Sequence, residues 1–194
     1  KIVVLYHMWE LIIKILLKPE GVVMFEDPYL GDVIQNITYD QIYDEHTFLF
    51  SVHSIKYLFN LFEMEVINVK PQDTHGGSMR YVIAHKGAKA VHDNVYKQLE
   101  FESELGLTNP ETFRSFQQNC EKSRLDLLTL IKNIKSKGKS IAGYAATSKS
   151  TTIINYCGIT DDHLDCIYDT TPIKHGKYSP GAHIPIIDHE NFKV

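Results

Sequence analysis

The stretch from Lys139 to Asp169 constrains the fold more than any other. Lys139–Tyr144 reads as a strand, Ala145–Lys149 as a loop of small residues, and Thr151–Tyr156 as a helix closed by Cys157-Gly158. Leu164–Tyr168 follows as a second strand that ends at Asp169. Two strands joined by a helical crossover run parallel, whereas a tight turn would pair them antiparallel. The chain must therefore build at least the seed of a parallel sheet. In open α/β sheets, ligands sit at the carboxyl edge of the strands, where the Ala145–Lys149 loop lies.

The upstream part reads differently. Trp9, Leu11, Ile12, Ile15 and Leu16 recur at helical spacing, which predicts a helix over Met8–Leu17, stopped by Pro19 and Gly21. Val22–Glu26 reads as a buried strand and Leu30–Ile37 as a short helix or loop. Ser54–Phe62 is expected to be helical, with Ile55, Leu58, Phe59 and Phe62 on one face. Glu65–Val69 and Met79–Ala84 read as an antiparallel hairpin turning at His75-Gly76-Gly77. Two charged amphipathic helices follow, Ala88–Leu105 and Pro110–Ser136, separated by Gly106 and Asn109-Pro110. Their plain reading is a connector whose charges are solvated. Tyr39–Phe50 mixes aromatic and charged residues in a way that suits neither a core nor an ordinary surface.

Composition narrows the function classes. Over 194 residues, 43% hydrophobic and 23% charged content calls for a packed core and excludes wholesale disorder. A net charge of −4 argues against coating nucleic acid or a membrane surface. The longest apolar run, Leu11–Leu17, is interrupted by Lys14 and falls short of the roughly 20 residues that cross a bilayer. Three cysteines form no CxxC pair and ten histidines show no metal-ligand spacing, so no metal site is assigned. A reducing, cytoplasmic compartment is expected.

Four segments could carry chemistry. Gly143–Thr152 places small residues, then Lys149 and hydroxyl side chains, at a helix start, a pattern suited to phosphate or diphosphate. It falls one glycine short of a P-loop, because Ser148 stands in the second glycine position. A P-loop ATPase would use Asp169 as its acidic strand end. Tyr43, Glu45 and His46 form a cluster of proton-transfer groups, with histidine the best base near neutral pH. His75–Arg80 combines paired glycines with Arg80, which can meet a carboxylate or a phosphate. Lys174–Pro185 gathers two lysines (Lys174 and Lys177), two histidines (His175 and His183) and Tyr178 around the Pro180-Gly181 turn, on the loop after the strand that ends at Asp169.

Taken together, Gly143–Ile159, Lys177–Ile186, Tyr43-Asp44-Glu45-His46 with Phe50-Ser51, and His75–Arg80 resemble the sugar C-methyltransferases. Those are S-adenosylmethionine-dependent enzymes acting on nucleotide-linked keto-deoxysugars. The resemblance implies an α/β chain in which residues 1–85 are the C-terminal portion of a Rossmann-type methyltransferase domain. Residues 86–194 would be the C-terminal domain, with a helical connector over 86–137 and a small Rossmann-like, nucleotide-sugar-binding part over 138–194. It implies His46 as the base, Glu45 as its partner, and Tyr43 as a donor to the sugar. Tyr144, Thr147, Ser148, Lys149, Asn155, Lys177, Tyr178, His183 and Arg80 would hold the substrate. The glycine-rich cofactor loop and a cysteine-rich zinc domain are not in this sequence, so an N-terminal half is the expected missing partner and the chain alone is expected to be inactive. The alternative is a non-catalytic nucleotide-sugar-binding module or a truncated product. Three motif positions depart from the family pattern: Ala145 for a usual glycine, Asp44 where histidine is common, and Ala182 for a usual threonine.

Overall fold

The computed structural model describes residues 10–192. The chain is mixed α/β and divides into two compact units. Residues up to Thr38 together with Phe48–Arg114 form the first; Tyr39–Thr47 and Ser115 onward form the second. This division differs from a cut at residue 86, because the helix Asp93–Leu105 returns to the first unit's sheet and the loop 39–47 packs on the helix Ser148–Cys157.

The first unit holds strands β1 (Val23–Pro28), β2 (Met64–Gln72) and β3 (Ser78–His85), in the order β1-β3-β2 with both pairings antiparallel. The β2–β3 hairpin is the one expected from the sequence. β2 runs longer than its apolar stretch because pairing continues through Pro71 opposite Met79 and Gln72 opposite Ser78. The turn between them needs glycine at position 77: φ there is 128°, and a Cβ would lie 2.3 Å from the Asp32 carboxylate.

Four helices accompany this sheet. They are α1, which covers 10–16 of the described residues, α2 (Leu30–Asn36), α3 (Val52–Asn60) and α4 (Asp93–Leu105). The residues Met8 and Trp9 of the expected first helix lie outside the described part. α3 starts two residues before the expected Ser54, because Ser51 and Ser54 form a reciprocal capping box. Ile55 and Phe59 from α3, Val95 from α4, and Met64, Val66, Met79, Tyr81 and Ile83 from the sheet fill the core.

α4 is no solvated connector. Glu102, on its inner face, is 1% exposed. Its carboxylate accepts from the Val52 and His53 amides at 2.5 and 2.9 Å, from His53 Nδ1 at 2.7 Å and from the Tyr29 hydroxyl at 2.9 Å. A carboxylate at the amino end of α3 meets both orphan amides and the positive end of the helix dipole.

The second unit is built on three parallel strands, β4 (Ala142–Tyr144), β5 (Cys166–Asp169) and β6 (Ile186–Asp188), in that order. α6 (Ser148–Cys157) makes the β4–β5 crossover and ends at Gly158 with φ 68°. α5 (Pro110–Lys135) contributes Ile131, with Leu127 and Leu128 beside it, to a core shared with Ile154, Ile159, Ile167, Ile184 and Ile186. The parallel seed read from the sequence is present; β6 was not anticipated, since three residues after Pro185 give too short a period to recognise.

Glu102→Ala would leave two helix amides and a buried phenol without their acceptor. Urea unfolding is expected to show a loss of about 3–5 kcal/mol. A loss below about 1 kcal/mol would contradict the capping role.

Candidate functional site

Asp169 ends the central strand β5 and organises both loops at the carboxyl edge of the parallel sheet. Its carboxylate accepts from the Ala146 amide at 2.7 Å and the Thr171 amide at 2.7 Å, and pairs with Lys174 Nζ at 3.1 Å. Lys174 Nζ also donates to the Ala146 carbonyl at 2.7 Å. The loop leaving β4 is thereby tied to the loop leaving β5. Burial opposes charge on Asp169, but the hydrogen bonds from Thr171, Lys174 and Ala146 win and hold its carboxyl far below the usual carboxylate range.

The same bonds change the reading of the small-residue loop. The Ala145 amide donates to the Tyr168 carbonyl, the Ala146 amide to Asp169, the Thr147 amide to Ser150 Oγ and the Ser150 amide to Thr147 Oγ1. Thr147 is the N-cap of α6 in a capping box. A P-loop turns such amides toward phosphate; here four of them bond within the protein. Asp169 is likewise engaged. The arrangement does not suit a P-loop ATPase.

Beyond Lys174 the chain forms a stapled hairpin. The Ile186 amide donates to Lys177 O, the Gly176 amide to Ile186 O, and the Ser179 amide to Ile184 O. The Ile184 amide in turn donates to the Oγ of buried Ser179 at 3.0 Å. Asn155 Nδ2 donates to the Pro180 carbonyl at 3.1 Å, and a Cβ on Gly181 would lie 2.0 Å from Asn155 Oδ1.

The loop 39–47 sits on the flank of α6. Its turn residues Tyr39–Gln41 bury Tyr39 and Gln41. The Tyr39 ring lies 5.0 Å from the Tyr156 ring, its hydroxyl is 3.8 Å from Cys157 Sγ, and Thr152 Oγ1 donates to the Ile42 carbonyl at 3.4 Å. Tyr156 in turn donates to Glu121 on α5 at 2.9 Å. Its phenol pKa is pushed up to about 12, first by burial and then by that carboxylate.

Between loop, helix and hairpin lies an open cavity of about 820 Å³. Tyr43, Asp44 and Glu45 line one side; Ser148, Ser150, Thr151, Thr152 and Asn155 of α6 line another; Lys174, Lys177 and Tyr178 complete it. Burial, and after it Glu45 and Asp40, raises the Tyr43 pKa, so its phenol keeps its proton as a donor at neutral pH. His46 is not among the lining residues. Its ring lies 4.3 Å from that of Tyr43, tilted by 45°, and its Nδ1 is 2.8 Å from the Gln41 carbonyl. A carbonyl only accepts, so Nδ1 carries the hydrogen and Nε2 keeps the lone pair of the neutral ring.

Of the residues singled out in the sequence, Tyr43, Glu45, Ser148, Asn155, Lys177 and Tyr178 come together at this cavity. Lys149 is half-buried on α6 and does not line it. Tyr144 lines a separate, apolar cavity of about 370 Å³ with Leu127 and Ile131. His183 is exposed at φ 54°, its amide bonded to Ser179 O. Arg80 belongs to the first unit, where it pairs with Glu26 directly across the β1–β3 ladder at 2.9 Å. Lys174, Ser150, Thr151 and Thr152 also line the larger cavity; they lie in segments the sequence singles out, but the sequence assigns none of them a substrate-holding role. Asp44, which departs from the family pattern, lines the cavity as well. Among the described residues, no group of three or more His, Cys, Asp or Glu side chains is placed to hold a metal ion, and no helix is long and apolar enough to cross a membrane.

Asp169 yields a pH prediction. A depressed folded pKa adds stability above the unfolded value of about 3.9, and that stability is lost as pH falls below it. Asp169→Asn is expected to cost about 2 kcal/mol near neutral pH, a figure lowered for water reaching the cavity, and to give a flatter stability curve below about pH 4. Parallel acid curves for the two proteins would contradict the assignment.

Comparison with known proteins agrees with this architecture. Residues 73–194 match the family model described as C-methyltransferase C-terminal domain. The chain is 33% identical over 175 residues to the C-methyltransferase NovU of Streptomyces niveus. That match covers 90% of this chain and 42% of the relative, so the chain spans less than half the length of the curated protein it resembles. With more than half of its residues inside the family model, and with the resemblance noted in its motifs, the chain belongs to the C-methyltransferase family.

Proposed function

We propose that this chain is the substrate-holding portion of a C-methyltransferase that methylates a carbon of a nucleotide-linked keto-deoxysugar. The observation that carries the proposal is the cavity at the carboxyl edge of the parallel sheet. It brings a wall with two lysines and a row of hydroxyls together with a wall carrying a phenol and two carboxylates. A diphosphate suits the first wall and a hydroxyl- and carbonyl-bearing sugar suits the second. In the finer description of the fold, the first unit is the late part of a Rossmann-type methyltransferase domain. The second is a small Rossmann-like domain, a reading favoured by its β4–α6–β5 crossover.

The described residues do not fit S-adenosylmethionine. The strand-to-helix turn of the second unit lacks glycine between Ala145 and Ser148, and its amides are engaged within the protein. When bound elsewhere in a longer enzyme, the cofactor would supply the methyl group. The residues of this chain do the rest. The lysines hold the nucleotide diphosphate, so that binding energy remote from the reacting carbon positions the sugar. His46 lies outside the cavity lining, its ring against that of Tyr43, so as the base its Nε2 would take the proton from a carbon beside the ketone that the substrate holds over the Tyr43 edge of the cavity. The C–H electron pair moves into an enolate, and Tyr43, protonated at neutral pH, donates to the oxygen that gains charge. Glu45 stabilises the imidazolium. A cytoplasmic setting suits such an enzyme.

The second reading is a nucleotide-sugar-binding module without catalysis, favoured by the misfit to the methyl donor. Calorimetry on the purified chain tests the shared part: dTDP or UDP is expected to bind and S-adenosylmethionine is not. Restored to a complete enzyme, Tyr43→Phe is expected to lower kcat by about 10–100-fold with a smaller change in KM. Loss of substrate-carbon solvent exchange in His46→Ala would support the base, and unchanged exchange would remove it. Absence of any binding by dTDP and UDP would sink both readings.

A further inference from the structure

We infer that Lys174, rather than Lys149, is the principal diphosphate anchor of the cavity, and that Asp169 and the Ala146 carbonyl aim it. The inference rests on the nucleotide-sugar reading above and adds to it a specific positioned cation.

A lysine ammonium has three N–H donors. Two of them are fixed, to the Ala146 carbonyl at 2.7 Å and to Asp169 at 3.1 Å. The third is left for the cavity that Lys174 lines, and its side chain is 34% exposed, enough for a ligand to reach. A free lysine must give up rotamer freedom to hold a phosphate; this one is already held. The paired carboxylate does not cancel the charge toward the ligand. Asp169 is 4% exposed and shares its charge with the Ala146 and Thr171 amides, so the cationic end of the pair is the one that meets the cavity.

The loop chemistry points the same way. The amides of Ala145, Ala146, Thr147 and Ser150 are bonded within the protein, so these four are not offered to an anion, and side-chain cations and hydroxyls of the cavity take up that part of its binding. Lys177 lies three residues further along the same stapled hairpin and lines the same cavity. Two cations one turn apart match the two phosphoryl groups of a diphosphate.

The test compares dTDP, dTMP and thymidine on the unaltered chain and on Lys174→Met, Lys174→Arg and Lys177→Ala, with a melting curve for each protein. The unaltered chain should prefer dTDP to thymidine. Lys174→Met should weaken dTDP by about 10–100-fold while changing thymidine by less than about threefold. Lys174→Arg should keep most of the diphosphate preference, because it keeps the charge, and it remains informative if the Met variant folds poorly. Lys177→Ala should weaken dTDP less than Lys174→Met does. Equal weakening of all three ligands in the Lys174 variants would show that Lys174 is only a staple and would overturn the inference. So would an unchanged dTDP preference in Lys174→Met, while leaving the nucleotide reading intact. No dTDP preference in the unaltered chain would overturn that reading and the inference together.

Discussion

One buried carboxylate shapes the second unit. Asp169 closes the central parallel strand and holds the loop from β4 through the Ala146 amide and the loop from β5 through Thr171 and Lys174. Without those bonds the amino end of α6 and the lysine-bearing hairpin would be tied only by weaker links such as Asn155 to the Pro180 carbonyl and Lys174 to the Ala146 carbonyl. With them, the edge of a three-stranded sheet becomes one wall of a cavity of about 820 Å³. The carboxylate does this by staying charged although burial pushes its pKa up, because the hydrogen bonds from Thr171, Lys174 and Ala146 outweigh that push.

The other wall comes from far away in sequence. Tyr39–Thr47 leaves the first unit's stretch of chain and packs with the second. Tyr39 on Tyr156, and Thr152 on the Ile42 carbonyl, seat it on α6. One helix therefore does two things: its first turns offer hydroxyls to the cavity, and its flank carries the loop that brings Tyr43, Asp44 and Glu45 there. This places groups suited to moving a proton and groups suited to holding an anion within one unit, which is what a C-methyltransferase acting on a nucleotide-bound carbon acid would need.

Much of this was legible in the residues. The β4–α6–β5 crossover follows from a change of hydrophobic period and from Gly158 as a helix stop. The β2–β3 hairpin follows from paired glycines between two apolar runs. What was not legible depends on partners distant in sequence. Glu102 looks like any charge on an amphipathic helix until the Val52 and His53 amides are seen against it. Thr147 with Ser150 is a local T-x-x-S cap, but a hydroxyl at a helix start reads equally well as a phosphate ligand. Lys149 drew attention because it follows the small-residue loop, whereas Lys174 is given meaning only by the buried Asp169. No period in the sequence could show that Tyr39 packs on Tyr156.

The account stands on a single ligand cavity in the second unit, and amide chemical shifts of the ¹⁵N-labelled chain during dTDP titration test it most directly. The largest changes are expected at Ile42–Glu45, Ser148–Thr152 and Lys174–Pro180, with the first sheet unmoved. Saturable changes centred on the β2–β3 hairpin or the apolar cavity beside Tyr144, with Lys174–Pro180 silent, would contradict it.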